Sequence, residues 1–205
     1  MSVAKHTAAL KPRERDAARS NPKAPPRLIM VTDRVRVPNV IGAINALPPD
    51  SAVLFRDYDL PNRLELGREI RDLCRRRKLR FIIAGHGRFA AQMRADGLHT
   101  PETGIQEARF WRQWRPKWFI TVAAHSPAAL WQAARAGADA ALLSPVFSTN
   151  SHPDTKPLGA LKFARIAFQA PLPIYAFGGI NQHTLIRLTG VPICGIAAVS
   201  AFSSV

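Results

Sequence analysis

Short apolar runs alternate with amphipathic stretches from residue 27 to residue 200. Runs of about four to eight apolar residues between turn signals read as buried strands, whereas apolar positions three and four apart read as helices. Strands are predicted over Leu28–Thr32, Ala52–Arg56, Leu79–Ala84, Gly97–His99, Trp118–Val122, Ala140–Leu143, Pro173–Ala176 and Ile193–Ser200. Helices are predicted over Val40–Ala46, Asn62–Arg77, Ile105–Trp114, Pro127–Ala136, Leu161–Gln169 and Gln182–Leu188. The second of these places Leu66, Ile70, Leu73 and Cys74 on one face. Pro48 and Pro49 stop the first. Ser126 as N-cap, Pro127 at the first helical position and Gly137 just past the end frame the fourth. Phe110, Trp111 and Trp114 read as packing residues. Eight β units with intervening helices predict a (β/α)8 barrel, an α/β fold. A flavodoxin-like open sheet would use about five or six strands.

The two ends depart from that plan. Only Ala201–Val205 follow the last strand, where such barrels close with a further helix. The last helix is therefore truncated. Its position is left bare, or is covered by residues 1–26 or by a partner chain. An exposed apolar groove favours association, so a homodimer is expected. Residues 1–26 are polar and basic and carry Pro12, Pro22, Pro25 and Pro26. They read as a disordered tail with a short helix around Ala8–Arg19, and residues 27–205 form the domain.

Composition narrows the class. A hydrophobic content of 47% is ample for one core. There is no long apolar run and no apolar leader, which predicts a cytoplasmic protein without a membrane span. Cys74 and Cys194 lack metal-ligand spacing and read as buried, reduced thiols. Of the net charge of +15, residues 1–26 contribute +4 and the remainder +11. Such an excess attracts nucleic acid or phosphorylated small molecules. Arg75, Arg76, Arg77 and Lys78 close a helix, where cations complement the dipole, and no aromatic interleaving accompanies them. Small phosphorylated ligands are favoured over nucleic acid.

Candidate chemistry gathers after the late strands. The stretch Gly137–Leu158 runs from a helix end through a strand into a loop carrying Ser148, Thr149, Ser151 and His152. Gly178-Gly179 follows the next strand and allows close backbone approach to a ligand. Hydroxyls and paired glycines in these places point to a phosphate site. Separately, His86, His99, His125 and His152 fall at the ends of the third to sixth strands, an arrangement that either binds Zn2+ or is four unrelated loop histidines.

Several segments carry a family resemblance: IMVTDR at 29–34, DGLHTPE at 96–102, AAHSPAAL at 123–130, GADAALLSPVFSTNS at 137–151, YAFGGIN at 175–181 and GIAAVSAF at 195–202. In this order the chain resembles the thiamine phosphate synthase and TenI (thiazole tautomerase) family over roughly residues 27–202. The resemblance implies a role in thiamine biosynthesis. It implies that Gly178, Gly179, Val199 and Ser200 hold the phosphate of a thiazole through backbone amides. Thr149, Ser151 and His152 align with a Thr-x-Thr-Lys loop that holds the diphosphate of a pyrimidine, the second substrate; the lysine is replaced by His152, and Lys156 lies four residues on.

Other positions depart further. A Gln-x-Arg-Glu-Lys run aligns with Leu54, Phe55, Arg56, Asp57 and Tyr58, so only the arginine is kept. An Asn-Asp pair aligns with Ala84 and Gly85, and a second acidic metal ligand aligns with Thr103, one position after Glu102. The family synthases expel pyrophosphate as a pyrimidine-methyl cation forms, and they use Mg2+ to neutralise the departing charge. Loss of both expected ligands puts Mg2+ in question, although Glu102, Asp57 and Asp33 are nearby carboxylates. The tautomerase branch needs a phosphate cradle, a holder for a carboxylate and a proton shuttle. His125 aligns with its catalytic histidine and Arg56 offers the holder. A turn-capping role is the alternative for His125. Three activities follow from the resemblance: thiamine phosphate formation, thiazole tautomerisation, and non-catalytic binding of a thiazole phosphate.

Overall fold

The computed structural model describes residues 25–149 and 155–199. The basic tail up to residue 24, the loop residues Ser151 and His152, and Ser200 lie outside the described residues. The strands are β1 (Leu28–Val31), β2 (Ala52–Phe55), β3 (Arg80–Ala84), β4 (Gly97–Thr100), β5 (Phe119–Ala124), β6 (Ala140–Leu143), β7 (Ile174–Ala176) and β8 (Gly195–Ala198). The helices are α1 (Val40–Asn45), α2 (Arg63–Arg77), α3 (Gly87–Gln92), α4 (Ile105–Trp114), α5 (Pro127–Arg135), α6 (Gly159–Gln169) and α7 (Gln182–Leu185), the last continuing as a 3-10 turn over Ile186–Leu188. All strands are parallel and pair in sequence order. β1 pairs with β8 in the register Leu28↔Ile196 and Met30↔Ala198, which closes the barrel. The predicted (β/α)8 fold is the observed one.

The strands are buried on both faces, as expected when helices coat a closed parallel sheet. Leu66, Ile70, Leu73 and Cys74 all turn inward from α2. Ser126 caps α5, its hydroxyl accepting the Ala129 N–H at 3.2 Å. At the amino end of the barrel, the buried Tyr175 hydroxyl donates to the Pro26 carbonyl at 2.6 Å and fixes the chain's entry into β1. Arg112 on α4 donates to the carbonyls of Gly137, Pro116 and Trp118 and pairs with Asp139, tying the loops on either side of β5.

Four expectations change. Helix α3 is an element that the apolar pattern does not reveal, since only Gly87 and Ala90 are buried from it. Gly87 is required there by close packing, because a Cβ at that position would sit 1.9 Å from Trp111 Nε1. Strand β5 runs further than predicted, to Ala124, and β8 is shorter, Gly195–Ala198. Of the three aromatics on α4, Trp111 stacks on Trp118 with centroids 5.2 Å apart, but Phe110 and Trp114 are exposed. Finally, Met30 and Ile196 alternate with the cleft-facing Val31 and Ala197, so they point outward, yet both are fully buried. Of the three alternatives for the position beside the last strand, a bare one does not hold at these two residues.

Among the described residues no helix is long and apolar enough to cross a membrane. Cys74 and Cys194 are buried free thiols, and burial pushes the Cys74 thiol up to about 12.

Candidate active site

The carboxyl ends of the strands surround a cleft of about 640 Å3. Six predicted site residues border it: Arg56 after β2, His125 after β5, Thr149 after β6, Gly178 and Gly179 after β7, and Val199 after β8. The sequence order scatters these residues; closing the barrel brings them to one mouth.

The late-strand wall is built on backbone. Gly178 and Gly179 have φ of +89° and +66°, a region that other residues rarely adopt. Packing also demands glycine: a Cβ on Gly178 would lie 2.9 Å from Pro145 Cα, and one on Gly179 2.5 Å from the Ser148 carbonyl oxygen. The Phe177 and Gly178 carbonyls accept the Val146 and Phe147 N–H groups at 2.9 and 3.1 Å, and the Thr184 hydroxyl donates to the Gly179 carbonyl at 2.8 Å. Carbonyls are thus turned into the protein. The N–H groups of Gly178 and Gly179 are not taken up by any described residue. Amides grouped in this way suit an anion.

His125 borders the same cleft. Its Nδ1 lies 2.8 Å from the Ser144 carbonyl oxygen, which only accepts, so Nδ1 carries a proton and the neutral ring has its lone pair on Nε2. Its backbone N–H donates to Glu102 Oε2 at 2.9 Å. The cap of α5 is Ser126, so capping does not account for His125.

On the cleft floor His99 is buried, with Nδ1 3.0 Å from the Thr121 hydroxyl. Burial, reinforced by the Arg56 charge, pulls its pKa down to about 4 and keeps the ring neutral. The early-strand wall is charged. Arg56 Nη2 lies 3.2 Å and Arg36 Nε 3.7 Å from the same oxygen, Asp33 Oδ2. The Arg56 N–H donates to the Thr32 hydroxyl at 3.0 Å, which fixes the backbone under the guanidinium. Arg36 and Tyr58 are cleft residues that sequence reasoning did not assign as ligand contacts, and His99 entered it only as a candidate zinc ligand. For His99 the signal was present in strand alternation, but Arg36 lies in an irregular loop where no period applies.

The donor set does not fit the metal site that the resemblance implies. Gly85, at one ligand position, has no side chain and a φ of +105°, and a Cβ there would meet the Tyr58 ring at 3.2 Å. Thr103 stands at the other position. Asp33 is shared by two arginines, and Glu102 holds the His125 N–H. Asp57 gives one oxygen to the Arg34 N–H and keeps Oδ2 buried without a hydrogen bond, a lone oxygen rather than a cage. Among the described residues no three metal-ligating side chains cluster, so His86, His99 and His125 form no zinc site by themselves. Lys156 is exposed and does not border the cleft.

Comparison with known proteins agrees with this geometry. The family profile described as thiamine monophosphate synthase matches residues 30–202. The "Putative thiamine-phosphate synthase 2" of Aquifex aeolicus is 30% identical over 86% of this chain and 97% of its own length. The "Thiamine-phosphate synthase" of Chloroflexus aurantiacus is 31% identical over 85% of this chain and 84% of its own. Among solved structures, the thiamine phosphate pyrophosphorylase from Pyrococcus furiosus superposes with a TM-score of 0.74 at 25% identity, covering 88% of both chains. With a closed eight-stranded barrel, a single cleft joining the motif residues, and a profile match across nearly all of the described chain, this protein belongs to the thiamine monophosphate synthase/TenI family.

Proposed function

We propose that this protein acts in thiamine biosynthesis in the cytoplasm, binding a phosphorylated thiazole and joining it to a pyrimidine diphosphate. The observation that carries the reading is one cleft lined together by Gly178, Gly179, His125 and Arg56. The thiazole phosphate sits against Gly178, Gly179 and Val199, with Ser200 as a further contact. The pyrimidine diphosphate lies towards Arg56 and the loop of Thr149, Ser151 and His152. In the reaction the methylene–oxygen bond of the diphosphate breaks, its electron pair leaving with pyrophosphate. The thiazole nitrogen then supplies the pair that forms the new carbon–nitrogen bond. Arg56 neutralises part of the departing charge. Mg2+ is not assigned a place, because the family positions hold Gly85 and Thr103. A homodimer is retained as a proposal, to be read by sedimentation.

A second reading is a thiazole tautomerase, favoured by the His125 tautomer. With Nδ1–H held by Ser144, Nε2 is the atom that takes and returns a proton, while Arg56 holds the carboxylate.

The purified protein should form thiamine phosphate from thiazole phosphate and pyrimidine diphosphate, assayed both with Mg2+ and with EDTA. If it forms none yet interconverts thiazole tautomers, and loses that activity in His125→Ala, the second reading replaces the first. Binding of thiazole phosphate without either turnover would mark a non-catalytic relative.

A further inference from the structure

We infer that Arg36 and Arg56 form a seat for the diphosphate that works without a divalent cation. The inference rests on the synthase reading above and adds to it a residue, Arg36, and a mode of charge neutralisation.

Three observations converge. First, the position of one expected metal ligand carries no ligand and is crowded. Gly85 has no side chain to offer, its φ is +105°, and a Cβ there would lie 3.2 Å from the Tyr58 ring. Tyr58 itself stands where the resemblance places a lysine, so a cation and a carboxylate are both missing from one contact. Second, the nearby carboxylates are committed or solitary: Asp33 to two guanidiniums, Glu102 to the His125 N–H, and Asp57 with a single orphaned oxygen. Third, Arg36 and Arg56 reach one oxygen of Asp33 from separate loops, and both border the cleft. Their side chains are 31% and 29% exposed, accessible to a ligand but held in place.

Two guanidiniums on one carboxylate leave a net positive charge at the wall. Each presents a planar fork of donors that matches phosphoryl oxygens. Asp33 keeps the two forks from repelling each other apart and orients them. A diphosphate arriving at this wall gains charge-assisted hydrogen bonds to two arginines where relatives of the synthase type use a metal.

The test titrates inorganic pyrophosphate into the full chain by calorimetry, after saturating the late-strand cradle with thiazole phosphate. Saturation is measured first and separately. If thiazole phosphate does not bind, the functional reading itself fails, and this inference with it. Given that binding, pyrophosphate affinity in EDTA is expected within about threefold of that in Mg2+, and Arg36→Gln or Arg56→Gln should weaken it by at least about tenfold. The circular dichroism spectrum of each variant should match the wild type, and Arg36→Gln should also keep the thiazole phosphate affinity. Arg36 lies on a surface loop, so its variant reports even if Arg56→Gln misfolds. Pyrophosphate binding that needs Mg2+, or that ignores both substitutions, overturns the inference while leaving the synthase reading intact. Mg2+-dependent pyrophosphate binding that is lost in Asp57→Asn would place a rebuilt metal site at that carboxylate instead.

Discussion

Acidification should destabilise this barrel through His99 in a way that one substitution can isolate. The imidazole is buried on the cleft floor with a pKa near 4, against an ordinary 6.5 in the unfolded chain. A base whose folded pKa is lowered contributes its full stability above the unfolded value. That stability drains as pH falls, because the unfolded chain takes up a proton that the fold refuses. The loss begins near pH 6.5 and levels off below about pH 4, where the folded protein also binds the proton. Between pH 7 and pH 5 the difference amounts to about 2 kcal/mol, and by pH 4 to about 3 kcal/mol. Urea unfolding at pH 7 and pH 5, for wild type and His99→Gln, removes the groups common to both proteins by difference. The wild type should lose about 2 kcal/mol more than the variant over that interval. Equal losses would mean that the ring is protonated or solvated in the fold, and the account of the cleft floor would be wrong.

Gly179→Ala combines a left-handed backbone with a Cβ 2.5 Å from the Ser148 carbonyl oxygen, so it should cost at least about 1 kcal/mol and weaken thiazole phosphate binding as the β6 loop shifts. Denaturation and calorimetry on one preparation check both effects. Tyr175→Phe leaves the Pro26 carbonyl without its buried donor and should lower stability by about 1–2 kcal/mol without changing ligand affinity. Arg112→Ala removes four contacts across the β5 loops and should cost about 2–3 kcal/mol; a change below half a kilocalorie would show that water replaces them. Deleting residues 1–24 should leave the barrel folded, as read from its melting temperature, and a large fall would assign the tail a structural role beside β8.

Much of the architecture was legible because buried parallel strands are unbroken apolar runs. Ala140–Leu143 is predicted and observed with the same limits. Helix α2 likewise announces its inner face through Leu66, Ile70, Leu73 and Cys74. Helix α3 was illegible because it is one and a half turns long and packs through a glycine. In the cleft, Gly178 and Gly179 were legible as paired glycines after a late strand, whereas Arg56 and His125 were found through resemblance. The Arg36–Asp33–Arg56 arrangement was not found. Its members are joined by loop geometry over about twenty residues, and no local period encodes a shared carboxylate oxygen. The exposure of Phe110 and Trp114 was missed for a related reason: a helix carrying three aromatics cannot bury all of them when its inner face is filled by Ala108 and Trp111.

The contact between Tyr58 and Gly85 constrains the paths by which this chain could change its chemistry. Restoring an aspartate at 85 alone would drive a side chain towards the tyrosine ring from a backbone angle that resists one. Replacing Tyr58 alone would remove an aromatic partner from Arg63, whose guanidinium lies 5.4 Å from that ring. Removing the ring relieves the crowding at 85 though not the backbone strain, so the two positions are expected to behave epistatically. Return to a metal-binding mouth is therefore a coordinated move, and a library that varies one position at a time will not find it.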